Sequence, residues 1–318
     1  MPKGREGHAR VAVLTVIPEE MAEVMDALVA HEPVGDTGAF TSEAALSEGL
    51  NDLPFIVLRC TDRSNGPAAD SARDLMESWR PETIMLVGIA GGIRRLAKDA
   101  ETPRLEPGPE LGDVVVANMI HFGDYGKDLP QGFIPRWLPL VHPPAGLIMR
   151  HCERLRVSGD WGAAIENWPG ATPPRLHIGE VIAVEAVAGN PRSGRQQAIL
   201  QHFDKALAID MESKGVAAAL HAYEADVGVH YHPRWLCIRG ISDLVVGSAE
   251  AQEIVGENQS QRESWRVAAA RSAAVVAREV LRGLLRRTTP AHPAQPARPP
   301  WIGADQIGVS AVRGTVSA

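Results

Sequence analysis

Thr83-Ile-Met-Leu-Val-Gly-Ile-Ala-Gly-Gly92 runs from strand-forming apolar residues straight into a glycine-rich segment. A short apolar run bounded by Pro81 and by glycines predicts a buried strand, Thr83 to Gly88, opening into a turn over Gly88 to Gly92. The pattern repeats on both sides. Val11 to Ile17, Phe55 to Cys60 and Asp113 to His121 read as strands, with helical patterns over Glu19 to Ala30 and Ala68 to Trp79. Further on come a strand Glu180 to Val184, a helix Arg195 to His202, a strand Ala206 to Ile209 and a helix Asp210 to Tyr223. Trp235 to Ile241 is the last strand and Trp265 to Leu285 a long closing helix. Short apolar runs alternating with helices predict an α/β chain around a central, largely buried sheet.

The 318 residues suit one large domain or two ordinary ones, and 45% hydrophobic with 22% charged residues excludes fibrous and wholly disordered readings. A net charge of -7 argues against a broad basic field, so neither nucleic acid nor membrane is expected as a partner. Cys60, Cys152 and Cys237 are far apart and form no CxxC, which predicts no disulfide framework and a cytoplasmic chain. The best membrane-spanning candidate, Val267 to Leu281, is interrupted by Arg271 and Arg278. Residues 1-9 read as an N-terminal extension and 10-287 as the folded unit. Within it, 128-174 is an insertion rich in proline and tryptophan, with one helix from Gly146 to Leu155, expected to lie against the core. Pro290 to Pro300 holds five prolines in eleven residues, so 288-318 reads as a disordered tail. Its apolar islands, Trp301-Ile302 and Ile307-Gly-Val309, would let it dock on a protein partner.

Familiar site motifs fail. There is no GxxxxGK[ST], and Gly88 to Gly92 has the wrong spacing for GxGxxG. Gly240-Ile-Ser-Asp-Leu244 puts leucine where a nucleophile elbow needs its second glycine. His230-Tyr-His232 is accompanied by no HExxH and no cysteine pair, so no metal and no cofactor is expected. Acidic residues remain. Glu19 and Glu20 follow Pro18 as a favourable first helical turn, Asp210 can cap the helix that it begins, and Asp243 can be a turn residue. Yet Glu20, Glu212 and Asp243 each fall just beyond the carboxyl end of an expected strand, the edge at which open α/β sheets bind ligands. The glycines around Gly91 would let backbone N-H groups approach a ligand there.

Five segments in order carry a family resemblance: Val11 to Glu20, Val87-Gly-Ile-Ala-Gly-Gly-Ile93, Leu111-Gly-Asp-Val-Val-Val-Ala117, Ala208-Ile-Asp-Met-Glu-Ser213 and Ile238-Arg-Gly-Ile-Ser-Asp243. They resemble the nucleoside phosphorylase and nucleosidase superfamily, most closely the methylthioadenosine/S-adenosylhomocysteine nucleosidases. Trp79-Arg-Pro81, Gly123 to Lys127 and Trp265 to Ala269 are similar to nucleosidase-like effector domains of bacterial defence proteins. The resemblance implies a single nucleosidase-like catalytic domain at 10-287, with a central mixed, twisted sheet flanked by helices. It also implies that Asp243 delivers a proton to N7 of a purine, that Glu20 activates water, and that Arg239 positions that water and its base. Met211 and Glu212 would hold the ribose, and the backbone of Ile182 and Ala183 would read the base. The chain departs from its relatives at Ile182, where a stacking phenylalanine is usual, and at Ile89, where serine is usual.

The implied chemistry follows glycosidase logic, with one carboxyl assisting departure and another activating water. A purine leaves poorly as an anion, so its acid must carry a proton when used, which desolvation or a neighbouring negative charge would favour. Phosphorylases of this fold place an arginine after the first strand and a hydroxyl in the later glycine turn; Thr15 to Glu20 and Ile89 offer neither, which favours water. Arg63, Arg192 and Arg195 are the candidates to meet a phosphate and would favour a nucleotide such as ATP. The expectation is hydrolysis of the N-glycosidic bond of a purine nucleoside or nucleotide, with adenine as the base, in a homo-oligomer of two or more copies. Nucleotide depletion in defence is one role this would serve. A phosphorylase of the same fold and an inactive nucleotide-binding sensor are the alternatives.

Overall fold

The computed structural model describes residues 8–43, 52–97, 102–138, 146–225 and 231–286. The expected disordered tail at 288-318 and most of the N-terminal extension lie outside them, as does His230. The strands are β1 (His8–Thr15), β2 (Glu32–Pro33), β3 (Phe40–Thr41), β4 (Asp52–Arg59), β5 (Thr83–Arg94), β6 (Val114–Phe122), β7 (Gly126–Leu129), β8 (Gly132–Pro135), β9 (Leu176–Ala183), β10 (Ala206–Asp210) and β11 (Arg234–Val246). The helices are α1 (Pro18–Leu28), α2 (Asn65–Trp79), α3 (Gly146–Ser158), α4 (Asp160–Ala163), α5 (Gly194–His202), α6 (Ser213–Ala225), α7 (Ala249–Val255) and α8 (Asn258–Arg286).

Nine strands form one mixed sheet in the order β10-β9-β6-β11-β5-β1-β4-β3-β2, and β10 also pairs with β5, so that β5, β11, β6, β9 and β10 close into a ring. β1, β4, β5 and β11 are mutually parallel neighbours, whereas β6 runs antiparallel to β11 and β10 antiparallel to β5. Alternate residues of a strand face opposite sides. In β1, Ala12 and Leu14 join the core under α2 and α6, while Val11 and Val13 join the core under α1 and α8. Helix α8 is fitted to the sheet by small residues: Ala269, Ala270, Ala273, Ala274 and Ala277 are all buried. At the crossing, a methyl group on Gly240 would lie 1.9 Å from the Ala269 carbonyl oxygen, so only glycine permits this approach of strand to helix.

Two expected elements are corrected. The strand read as ending at Gly88 continues to Arg94, with no turn at the glycines. None of Gly88, Gly91 and Gly92 has a positive φ. They serve close packing instead: a methyl on Gly91 would meet Val245 at 2.5 Å, and one on Gly92 would meet Ile241 at 2.7 Å, because β5 is paired with β11 on one side and β10 on the other. Likewise β11 runs on to Val246, and Asp243 sits inside it at a register shift between Ile241 and Asp243 rather than in a turn beyond its end. A hairpin, β7 paired antiparallel with β8, begins at Gly126 and runs into the insertion, which also holds helices α3 and α4.

Candidate active site

The closing of β10 onto β5 puts Ile209 opposite Gly91, so Asp210, Met211 and Glu212 emerge beside the glycine segment of β5. A cavity of about 920 Å³ opens there, walled by Glu20, Gly91, Met211, Glu212 and Asp243 among others. The three carboxylates that the sequence spreads over more than 220 positions thus share one cavity.

Glu20 is placed by two local facts. Pro18 opens α1, and the Glu20 carboxylate turns back to accept the N-H groups of Val16 (2.7 Å) and Ile17 (3.0 Å) through Oε2, the return half of a capping box whose other half the Ile17 side chain cannot supply. Its Oε1 accepts the Ile89 N-H at 2.8 Å across the sheet. Burial pushes its proton affinity above the ordinary glutamate value, against the opposing pull of Arg239 and of these three N-H groups.

Arg239 lies behind the cavity, wholly buried on β11. Its Nε donates to Asp210 Oδ2 (2.8 Å) and its Nη2 to Glu212 Oε2 (3.3 Å). Burial alone would favour loss of its proton, but Asp210, Glu212 and Glu20 outweigh that and hold the guanidinium more firmly charged than usual. Nη1 has no hydrogen-bond partner among the described residues. A methyl group on Gly88 would stand 2.5 Å from that Nη1 and 2.4 Å from Glu20 Oε1, so the two atoms lean over Gly88 from the same side. Glu212 also accepts the Ser64 N-H at 3.2 Å, and burial raises its proton affinity, with Arg239 opposing. Asp210 ends β10 and accepts from the Ser213 N-H (3.3 Å) and hydroxyl (2.7 Å), so it does hold the start of α6.

Asp243 is 1% exposed and accepts from Ser242 Oγ (2.7 Å), from Arg262 Nε (3.0 Å) and Nη2 (2.8 Å), and from Asn258 Nδ2. The neighbouring charge is therefore a guanidinium, held in a two-pronged contact. Ser242 makes no nucleophile elbow: it lies within β11 and its hydroxyl is spent on Asp243.

Ile182 and Ala183 lie off the cavity. Ile182 lies within β9 and Ala183 ends it, paired with His121 and Phe122 on one side and Ile209 and Asp210 on the other, and the cavity wall comes from the next residues, including Val184, Val187 and Ala188. Of the arginines considered for phosphate, Arg63 lines the cavity. Arg195 is bound to Asp124 (2.8 Å) and stacked on Phe133, and Arg192 is exposed and off the cavity wall. Sequence reading missed Asn258 and Arg262, because it began the last helix at Trp265 rather than Asn258. The signal was the spacing of Asn258, Arg262 and Arg266, four apart and so on one helix face. All three thiols are buried, which pushes Cys60, Cys152 and Cys237 up to about 12.

The sequence model of the phosphorylase superfamily matches residues 10–282, and the chain belongs to that superfamily. Among solved structures it is similar to the 5'-methylthioadenosine/S-adenosylhomocysteine nucleosidase of Streptococcus pneumoniae with a transition-state inhibitor, at 19% identity and TM-score 0.58, covering 86% of this chain and 99% of that one. It is also similar to the nucleosidase of Colwellia psychrerythraea 34H in complex with adenine, at 14% identity and TM-score 0.60 over 87% of this chain and 96% of that one. The futalosine hydrolase of Helicobacter pylori strain 26695 matches at 14% identity and TM-score 0.59 over 87% and 98%. Comparison with the curated proteins finds no match.

Proposed function

We propose that the protein hydrolyses the N-glycosidic bond of a purine nucleoside or nucleotide, with adenine the first base to try. The observation that carries this reading is the convergence of Glu20 Oε1 and the unpartnered Nη1 of Arg239 over Gly88. A water molecule held there would accept from the guanidinium and give a proton to the carboxylate, which would make Glu20 a general base. Glu212 faces the same cavity and would bind ribose hydroxyls, which strengthens as positive charge develops on the sugar. Asp243 would protonate N7 so that the base departs neutral, and Gly91 and Met211 would border the base and sugar. The apolar stretch at Val184, Val187 and Ala188 offers the base an aliphatic face in place of a stacked ring. Nucleosidase relatives of the same fold support the reaction class. Incubation with adenosine, inosine, guanosine, AMP and ATP, followed by chromatography for free base, tests the reading; free base from none of them would overturn it.

Water activation requires Glu20 ionised, and burial raises its proton affinity. Base release should therefore rise with pH through a midpoint above the ordinary glutamate value of 4.5. A kcat/KM profile already flat at pH 4.5 would remove Glu20 as the base.

Assembly follows from the same resemblance. The insertion exposes Trp137 (61%) and Ile134 (45%) beside its hairpin, large apolar surface of the kind that subunit contacts cover. Light scattering should give at least twice the chain mass of 34.1 kDa at micromolar concentration, and a value near 34 kDa would contradict it.

A further inference from the structure

The Asp243 carboxylate is saturated with donors. Ser242 Oγ and Arg262 Nε reach Oδ1, while Arg262 Nη2 and Asn258 Nδ2 reach Oδ2. An ionised carboxylate accepts at about four lone-pair positions, so each one is engaged. A proton on Oδ2 would point at N-H groups instead of an acceptor, and one on Oδ1 would find an acceptor only if Ser242 turned its own hydroxyl proton to the Ala90 carbonyl, 3.4 Å away. An approaching purine would likewise find that edge occupied. The two-pronged guanidinium contact is the strongest of these bonds in kind. Arg262 Nη2 also donates to Asn258 Oδ1 at 3.0 Å, one helical turn earlier, so the two residues act as a unit at the start of α8.

Arg262 is not sealed in place. Its side chain is 33% exposed, whereas the Arg239 and Asp210 side chains are each at 0%. Glu253, Glu257 and Glu263 line the same cavity as Arg262, so a guanidinium that leaves Asp243 enters a cavity that holds other carboxylates. Resting on the reading of Asp243 as the acid, we propose that Arg262 is a removable lock. It competes with the purine for the carboxylate edge, and must withdraw toward these glutamates before Asp243 can act. On withdrawal Asp243 takes a proton from solvent and passes it to N7 as the glycosidic electron pair moves to the base. Water attacks the sugar carbon and its proton goes to Glu20. Loss of that proton to solvent and return of Arg262 to Asp243 reset the site.

The test uses the full chain with Arg262→Gln and Arg262→Lys, and two readouts: affinity for free adenine by calorimetry, and kcat and KM for the best substrate of the panel. Arg262→Gln should bind adenine about tenfold more tightly, the gain expected when a state populated about a tenth of the time becomes the main one. KM should fall in proportion with kcat undiminished, and Arg262→Lys, which keeps charge without the fork, should fall between. Unchanged or weaker adenine binding, or a lower kcat, in a variant that unfolds at the wild-type temperature would overturn the lock. If Arg262→Gln fails to fold, the lysine variant alone decides by the same readouts. Tighter adenine binding with no hydrolysis of any nucleoside would uphold the lock and remove the hydrolase reading. Hydrolysis with unaltered adenine affinity would do the reverse.

Discussion

Asp243→Asn is expected to lower base release by about 10²- to 10⁴-fold while the protein stays folded, the range for loss of one general acid or base. The amide keeps the size of the side chain and an oxygen that can accept from Ser242 Oγ and Arg262 Nε, but it has no proton to give. Its NH2 would face Arg262 Nη2 and Asn258 Nδ2, donor against donor. Arg262 is one-third exposed and can turn to solvent, and rotation of the buried Asn258 amide would present its Oδ1 to the new NH2, so the mismatch should cost little stability. Circular dichroism and thermal unfolding check the fold, and chromatography the turnover. An asparagine variant with near-wild-type turnover would take Asp243 out of the mechanism.

Gly88→Ala should be about as damaging, although glycine carries no chemistry. Its new methyl would lie 2.4 Å from Glu20 Oε1 and 2.5 Å from Arg239 Nη1, far inside van der Waals contact. Neither neighbour can give way freely. Glu20 is fixed by the N-H groups of Val16, Ile17 and Ile89, and Arg239 by Asp210 and Glu212, all within buried surroundings. Displacing either opens the arrangement over Gly88, so turnover should fall on the order of 10²-fold or more, with about 1–3 kcal/mol lost to overpacking. Gly194→Ala is the control, because a methyl there meets nothing within 4 Å. Wild-type turnover in Gly88→Ala would mean that Glu20 and Arg239 do not work together on one water.

The order of strands and helices was legible because each buried strand is a short apolar run and each helix has its own period. The closure of β10 onto β5 was not, since antiparallel pairing of Ala208 with Gly92 and Ile209 with Gly91 joins residues more than a hundred positions apart and leaves no local pattern. The glycines of β5 misled for a physical reason: they look like turn residues, yet they are strand residues that need room for neighbouring strands. Strand β11 misled similarly, because Asp243 reads as a turn residue although it lies inside the strand. Among the site residues, Glu20 and Asp210 each have a local structural duty, capping α1 and holding α6, that hid their place in the cavity when each was read alone. Only the joint position of Glu20, Glu212 and Asp243 after expected strands, with the family resemblance, pointed to them. Asn258 and Arg262 stayed hidden because a polar stretch at a helix start resembles an ordinary solvated surface.

Phosphate dependence of base release is the most direct test of the central claim, that water over Gly88 attacks the sugar. With the best substrate in phosphate-free buffer, the protein should release free base at full rate, with free ribose or its 5'-substituted form as the second product. Adding millimolar phosphate should change neither rate nor product. Base release that appears only with phosphate, together with a sugar 1-phosphate, would contradict the claim and assign the site to phosphorolysis.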